Sequence, residues 1–172
     1  MNKPIFKISF LGCFLFFIML LTSCQNTAKP PEGINTSFTA NCQITKEDFL
    51  IKCSVTSTPE NIIRLYVFEP LELKGLTFQI IDNKYKMSYE GLSSENQDTF
   101  LPKISFANII FNTLKEISNL ENLTLLESSE TQSTFSGTCD SGYFTVKVNS
   151  ENLMESILLK DINTEITFDN YT

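Results

Sequence analysis

The chain has 172 residues, of which 20 are acidic and 13 are basic, and it contains no histidine or tryptophan. This length suits one domain with its own core, and a hydrophobic fraction of 42% disfavours both disorder and a polytopic membrane fold. Without histidine the chain lacks Ser-His-Asp and Cys-His catalytic sets and His-ligated zinc or haem. The net charge of −7 disfavours nucleic-acid binding, which needs a basic face.

The first 23 residues are typical of a signal peptide. Lys3 and Lys7 introduce an apolar run over residues 8–21, which as a helix would span only about 21 Å of a bilayer core of roughly 30 Å. The sequence Leu21-Thr22-Ser23-Cys24 is typical of a bacterial lipobox. We therefore predict a lipoprotein signal peptide over 1–23 and a diacylglyceryl thioether on Cys24, which anchors the protein at the extracytoplasmic face of the cell membrane. An ordinary secretory signal and an uncleaved anchor are the alternatives.

The segment after the predicted lipid is polar. Residues 24–36 include the pair Pro30-Pro31, which suits an extended linker, and residues 37–172 form the predicted single domain. From Cys24 onward the chain carries 11 basic and 20 acidic residues, a net charge of −9. Because this charge disfavours adsorption to anionic headgroups, the predicted contact with the membrane is through the lipid.

From residue 37 onward, apolar and polar residues alternate. Residues 37–57 predict a β-hairpin whose inward positions are apolar: Phe38, Ala40, Cys42, Ile44, Phe49, Ile51, Cys53 and Val55. Residues 62–69 are apolar on both faces, which is typical of a central strand. Residues 76–81 and 84–90 flank Asp82-Asn83 and predict a second hairpin, whereas residues 92–103 are polar and predict a loop.

One segment has helical spacing instead. With Ser105 as N-cap, a helix over about 105–119 is predicted from the residues that recur every three or four positions: Phe106, Ile109, Ile110, Thr113, Leu114 and Ile117. Alternation then returns in five further strands between residues 123 and 168. The predicted fold class is α+β, with about ten antiparallel strands in meandering order. One helix covers only part of such a sheet, so curvature or a bound molecule must close the rest.

The cysteines after residue 24 leave two alternatives. If Ile44 faces Ile51 across the hairpin, Cys42 faces Cys53, and the two either form a strained cross-strand disulfide or remain buried thiols. Cys139 is then a spare thiol, with a bridge between two copies of the chain as the alternative. Because the chain has no Cys-x₂-Cys pair, we expect no metal site.

Candidate catalytic groups are few. Glu69 and Glu72 flank Pro70, and Glu90 lies in a nearby hairpin, but nothing in the sequence sets the separation that a glycosidase pair requires. No P-loop, dinucleotide-binding turn or EF-hand spacing occurs. We therefore expect no enzymatic activity and no cofactor.

Several motifs that follow the lipobox in order resemble those of small Gram-positive lipoproteins with a LolA-like, lipoprotein-carrier-like fold. They are Phe38-Thr39-Ala40, residues 70–78 (PLELKGLTF), Tyr89-Glu90-Gly91-Leu92, Phe135-Ser136-Gly137, Gly142-Tyr143-Phe144 and residues 166–171 (ITFDNY). The resemblance covers most of residues 37–171. It implies a strongly curved antiparallel sheet, an incomplete barrel, with the helix at about 105–119 on its concave face. One branch of this family, the spore-germination lipoprotein, partners a cortex amidase.

The resemblance also implies a function, because members of this family carry or sense acyl chains or serve as docking modules in the cell envelope. We predict a non-enzymatic binding module whose concave face takes an acyl chain, a lipid or a lipoprotein. The alternative is an adaptor lipoprotein that recruits or stabilises an envelope enzyme acting on cortex or peptidoglycan. Seven side chains are candidates to line the cavity, with core packing as their alternative role: Phe68, Phe78, Phe106, Ile109, Ile110, Phe111 and Phe144.

Overall fold

The computed structural model describes residues 33–60, 62–81, 84–96, 101–102 and 105–172. The predicted signal peptide, Cys24 and most of the predicted linker lie outside these residues. The described chain forms the helix α1 (Phe106–Ser118) and eleven strands: β1 (Phe38–Lys46), β2 (Phe49–Ser57), β3 (Ile63–Glu69), β4 (Thr77–Ile81), β5 (Lys84–Tyr89), β6 (Leu92–Asn96), β7 (Thr124–Ser128), β8 (Gln132–Cys139), β9 (Gly142–Asn149), β10 (Met154–Leu159) and β11 (Thr164–Asp169). Short 3₁₀ turns occur at Leu71–Leu73, Leu120–Asn122 and Lys160–Ile162.

All strands belong to one antiparallel sheet. Its order is β6-β5-β4-β3-β2-β1-β11-β10-β9-β8-β7, so that β1 pairs with both β2 and β11. One meander therefore runs from β1 out to β6, and a second runs from β7 back to β11. Within the described residues β6 and β7 are the two edges and do not pair with each other, so the sheet is not closed.

The first hairpin has the predicted register. Cys42 lies opposite Cys53, and Ile44 lies opposite Ile51. The inward side chains of both strands are buried except Phe49, which is 52% exposed; the prediction that Phe49 faces inward is wrong, because it lies opposite Lys46 at the end of the hairpin, beside the turn. Two residues form the turn, of which Glu47 has a positive φ of 53°. A short turn and a one-sided apolar pattern together determine the register, because a slip by one residue would turn the apolar side chains to solvent.

The predicted loop over residues 92–103 is wrong at its start, where β6 pairs with β5 from Leu92 onward. The two turn residues, Glu90 and Gly91, have φ values of 48° and 83°, the positive pair that a tight hairpin requires. Backbone pairing across this turn, rather than an apolar pattern, forms the strand. It also raises the strand count from about ten to eleven.

As the sequence predicts, β3 is a central strand that pairs with both β2 and β4, but only one of its faces is buried. Ile63, Leu65 and Val67 are buried, whereas Arg64 and Tyr66 on the opposite face are exposed. An antiparallel sheet can leave one face in water, and the described part of β3 does so.

Helix α1 begins and ends where the sequence predicts. The Ser105 side chain accepts a hydrogen bond from the Asn108 backbone N–H at 3.4 Å, and the helix ends before Asn119. Its side chains pack against the apolar face of the sheet at widely separated strands. Phe106 contacts Phe78 of β4, with ring centroids 5.4 Å apart, Phe111 contacts Tyr85 of β5 at 5.9 Å, and Thr113 Oγ1 lies 3.7 Å from Cys139 Sγ of β8.

Contacts with the sheet extend into the segment predicted as linker. Ile34 is buried in the core, and the Asn35 backbone N–H donates to the Asn152 carbonyl at 2.8 Å. The chain is therefore packed against the domain from Ile34 onward, three residues before the predicted boundary at 37.

Tyr171 carries a prediction for stability and its pH dependence. Its hydroxyl donates to the Met154 carbonyl, and its ring lies 5.5 Å from that of Phe38. Burial raises the pKa of the Tyr171 phenol well above its usual value of 10.0, and neighbouring Cys42 and Glu155 add to the shift. Tyr171→Phe should lower the free energy of unfolding by about 1 kcal/mol at neutral pH, because the hydrogen bond is lost.

The raised pKa also determines how stability changes in alkali. The unfolded chain releases the phenolic proton near pH 10, before the folded chain does, so stability is fully present below that pH and falls as the pH rises beyond it. Urea unfolding across this range should therefore show a steeper decline for the native protein than for Tyr171→Phe. Equal slopes and equal stabilities would contradict the role given to the hydroxyl.

Candidate functional site

A cleft of about 630 Å³ lies between the C-terminal half of α1 and the strand ends of β2, β3 and β4. The helix contributes Phe111, Leu114, Lys115 and Ser118, whose spacing of three and four residues places them on one face. The sheet and its connections contribute Thr36, Ser57, Thr58, Pro59, Glu60, Ile63 and Ile80. Helix and sheet therefore build the cleft jointly.

The floor of the cleft is apolar. Ile63 and Ile80 lie directly opposite each other on β3 and β4, on the face of the sheet that carries the core. Phe111 and Leu114 complete the floor from the helix, and all four side chains are largely buried. The floor can therefore accept methylene groups without exposing a polar group to them.

The rim is polar and carries both charges. Thr36, Ser57 and Ser118 supply hydroxyls, and Glu60 and Lys115 supply a carboxylate and an ammonium group. The neighbouring Thr58 hydroxyl lowers the pKa of the Glu60 carboxyl. The Thr58 hydroxyl itself has no hydrogen bond of regular geometry to any described group. The exposed carboxylate is therefore ionised at neutral pH, and the rim suits a polar or zwitterionic head group.

The structure separates the predicted cavity residues. Phe111 is part of the cleft floor. Phe106 lies against Phe78, and the remaining inward side chains are fully or almost fully buried in the core: Phe78, Ile109, Ile110 and Phe144.

Phe68 does not join these side chains. Its ring lies 6.5 Å from that of Tyr66, on the face of β3 opposite the core. Lys52 pairs with Glu69 and Cys53 pairs with Val67, so Phe68 is the extra residue of a β-bulge in β3 and has no partner in the register. It packs against the exposed Tyr66, outside the core.

Ile63, Ile80 and Leu114 were missed as lining residues. Leu114 carries a signal in the sequence, because it follows Phe111 by three residues on the same helix face. Ile63 and Ile80 carry none beyond alternation, since their nearness to the helix depends on how the sheet packs against it.

The cysteine pair is positioned as predicted. Cys42 and Cys53 are opposite each other and almost fully buried, and both are thiols in the structure. Burial raises the pKa of the Cys42 thiol, and the neighbouring Cys53 adds to the shift, so the protonated form is favoured. The cross-strand disulfide stays a prediction. Cys139 is half-buried on β8, where its thiol contacts Thr113.

Glu69 has a structural partner. Its carboxylate forms an ion pair with Lys52 Nζ at 2.9 Å, across the pairing of β2 with β3. Glu72 lies in the 3₁₀ turn after β3, where its carbonyl accepts a hydrogen bond from the Tyr89 hydroxyl at 3.4 Å.

Within the described residues, no helix has the length and apolar character needed to cross a membrane.

No protein-family model matches the sequence, and no curated protein matches it. The chain is similar to solved structures, among them a LolA-superfamily protein from Nitrosomonas europaea, with a TM-score of 0.45, 10% identity, and 81% of this chain and 87% of that chain covered. A chain in the structure of the CwlD amidase from Clostridioides difficile in complex with the GerS lipoprotein has a TM-score of 0.43 and 12% identity, with 100% and 94% covered. LprF from Mycobacterium bovis has a TM-score of 0.38 and 12% identity, with 78% and 85% covered. These neighbours include a LolA-superfamily protein and a complex that contains a lipoprotein, which are the kinds of protein that the sequence resemblance names.

Proposed function

We propose that the protein is a membrane-tethered, non-enzymatic binding module that takes an acyl chain of a lipid or lipoprotein into the cleft beside α1. The observation that carries this proposal is the combination of an apolar floor, from Ile63, Ile80, Phe111 and Leu114, with a polar rim. The volume of the cleft, about 630 Å³, falls within the range of roughly 300–1,000 Å³ that is usual for ligand pockets.

An amphiphile matches this arrangement in both its parts. Each methylene buried on the floor contributes about 0.8 kcal/mol, so a few methylenes are enough to hold a chain end. The head group remains at the rim, where hydroxyls and the charges of Glu60 and Lys115 replace its contacts with water. A purely polar ligand would leave the floor unused.

The contacts of α1 support placing the helix on the concave face of a curved sheet. Phe111 contacts β5 and Thr113 contacts β8, although these strands are eight places apart in the sheet. A flat sheet would separate them by about 38 Å, whereas the two helix residues are about 3 Å apart along the axis. A sheet that bends around α1 accounts for both contacts.

The burial of α1 supports the same placement. All five residues of 107–111 are buried, and five successive helical residues point in every direction around the axis. Such a helix is enclosed on all sides at its N-terminal half. The cleft is then the opening that remains beside its C-terminal half.

A second candidate function is an adaptor that recruits a cell-envelope enzyme. It is favoured by how fully the interior is filled, since Phe78, Ile109, Ile110 and Phe144 pack into the core. A module with a filled interior would act through its surface instead, and it would hold its partner near the membrane through the lipid on Cys24.

The acyl-binding proposal is tested by closing the mouth of the cleft. Ser118 is exposed on the rim, so Ser118→Trp should obstruct the opening without disturbing the core. If the large side chain displaces about two methylenes of a bound chain, the affinity for palmitate should fall about tenfold in isothermal titration. Native mass spectrometry should show palmitate on the native protein and little on the variant.

The matched control is Ser93→Trp, which places the same side chain on the exposed outer face of β6. It should bind palmitate like the native protein. An absence of palmitate binding by the native protein, or equal affinities for both variants, would contradict the cleft as the binding site.

A further inference from the structure

The edge strand β7 is open on one side. It pairs with β8 only, within the described residues, and all five of its side chains are exposed. An edge strand of this kind presents unpaired N–H and C=O groups that can template another strand. The outer side of β7 therefore offers backbone partners to an extended segment.

Apolar surface accompanies this open edge. Leu125 and Leu126 are 41% and 49% exposed, and Leu120 just before the strand is 44% exposed. A shallow groove of about 380 Å³ lies beside them, along Glu127, Ser128, Ser129, Gln132 and Thr134. Grouped exposed leucines beside unpaired backbone are typical of a surface that binds another chain.

The charge along this edge has one sign. From residue 116 to residue 146 the chain contains acidic residues but no lysine or arginine, and Glu121, Glu127 and Glu130 lie in or next to β7. The nearest base in the register is Lys147 on β9, which is separated from Glu127 by Thr134. Such an edge attracts a basic segment and repels both an anionic membrane and a second copy of itself.

The opposite edge lacks this property. On β6, Glu95 lies opposite Lys86 of β5, and Lys84 lies on the same face of the sheet. Two lysines and one glutamate share this face, so the β6 edge has no acidic excess that would favour a basic partner. The two edges therefore differ in charge, and β7 also has a β-bulge between Leu125 and Glu127 that β6 lacks.

We infer that β7 is the docking edge for a protein partner, which adds an extended segment of alternating basic and apolar residues as a further strand. Main-chain hydrogen bonds supply affinity, and Leu125 and Leu126 contact the apolar side chains of the partner. The glutamates favour a partner segment that carries basic residues. This inference deepens the proposed adaptor role, because the choice of a protein as the partner rests on that role. It does not involve the cleft.

The test uses a short peptide of alternating lysine and valine, and the same peptide with glutamate in place of lysine. The native protein should bind the lysine peptide and not the glutamate peptide, and hydrogen exchange at Thr124–Ser128 should slow when the lysine peptide is added. Glu127→Lys should weaken binding about tenfold, because it replaces an attractive cross-strand pair with a repulsive one. Glu95→Lys, on the exposed edge β6, should leave binding unchanged.

Equal binding of both peptides, or an equal effect of both variants, would overturn the inference. Dimerisation of the protein through β7 would also overturn it, as would binding of the leucines to phosphatidylglycerol vesicles in place of the peptide. Recruitment of an envelope enzyme that Glu127→Lys leaves intact would overturn it as well, while the adaptor role would stand. Peptide binding at β7 without any enzyme partner would support the docking edge and count against the adaptor role alone.

Discussion

Replacing Phe111 with alanine should lower the free energy of unfolding by about 3–5 kcal/mol. Phe111 is almost fully buried in the middle of α1, and its ring lies 5.9 Å from that of Tyr85. Removing the ring leaves a cavity between helix and sheet that neighbouring side chains can fill only partly. Since domains of this size are stable by roughly 5–15 kcal/mol, the loss is a large share of the total. Urea unfolding followed by circular dichroism measures it.

The matched control is Phe49→Ala at the start of β2. Phe49 is 52% exposed, so its removal should change the free energy of unfolding by no more than about 0.5 kcal/mol. If the two variants are equally stable, α1 does not pack against β5 as described. If Phe111→Ala is too unstable to purify, Phe111→Leu should remain folded and show a smaller loss of the same sign.

Local patterns were enough to predict the first hairpin and the helix. In β1 and β2 one face is apolar and the turn has two residues, which together allow only the register that places Cys42 opposite Cys53. In α1 the apolar residues follow helical spacing, and Ser105 supplies the cap. Both elements are determined by residues close in sequence, which is why the sequence predicts them well.

Where the predictions failed, the cause was not local. Strand β6 has hardly any apolar residues and forms because backbone groups pair across the turn at Glu90 and Gly91. Tyr66 and Phe68 are aromatic but lie on the face of β3 away from the core. The apolar composition of this segment alone therefore predicted the wrong environment for their side chains. The type of a residue indicates which environments its side chain tolerates, whereas strand pairing in the sheet determines which face the side chain occupies.

The sheet order and the cleft depend on contacts that are distant in sequence. The pairing of β1 with β11 joins the two meanders across most of the chain, and no short segment indicates it. The cleft then requires the helix to lie beside Ile63 and Ile80, which belong to different strands. Alternation predicts that these isoleucines face inward, but not which element they meet there.

Gly137 is expected to be the position on β8 that tolerates a methyl group least. An alanine Cβ there would lie 2.6 Å from Cζ of the Phe144 ring and 2.9 Å from Cδ2 of Leu123. Phe144 is fully buried on β9, directly opposite Gly137, so its ring has little room to move. Gly137→Ala should therefore lower the free energy of unfolding by about 1–3 kcal/mol, the usual effect of overpacking a core.

A double-mutant cycle tests this cause directly. Phe144→Leu removes the ring atom that the new methyl group would meet, at a loss of roughly 1 kcal/mol by itself. If the clash with the ring is responsible, the double variant should be more stable than the sum of the single losses predicts, by about 0.5 kcal/mol or more. Gly33→Ala is the control, because its Cβ would make only ordinary contact with Leu120 at 3.6 Å. Additive losses, or an equal loss in the control, would mean that the close approach of Gly137 to Phe144 does not limit this position.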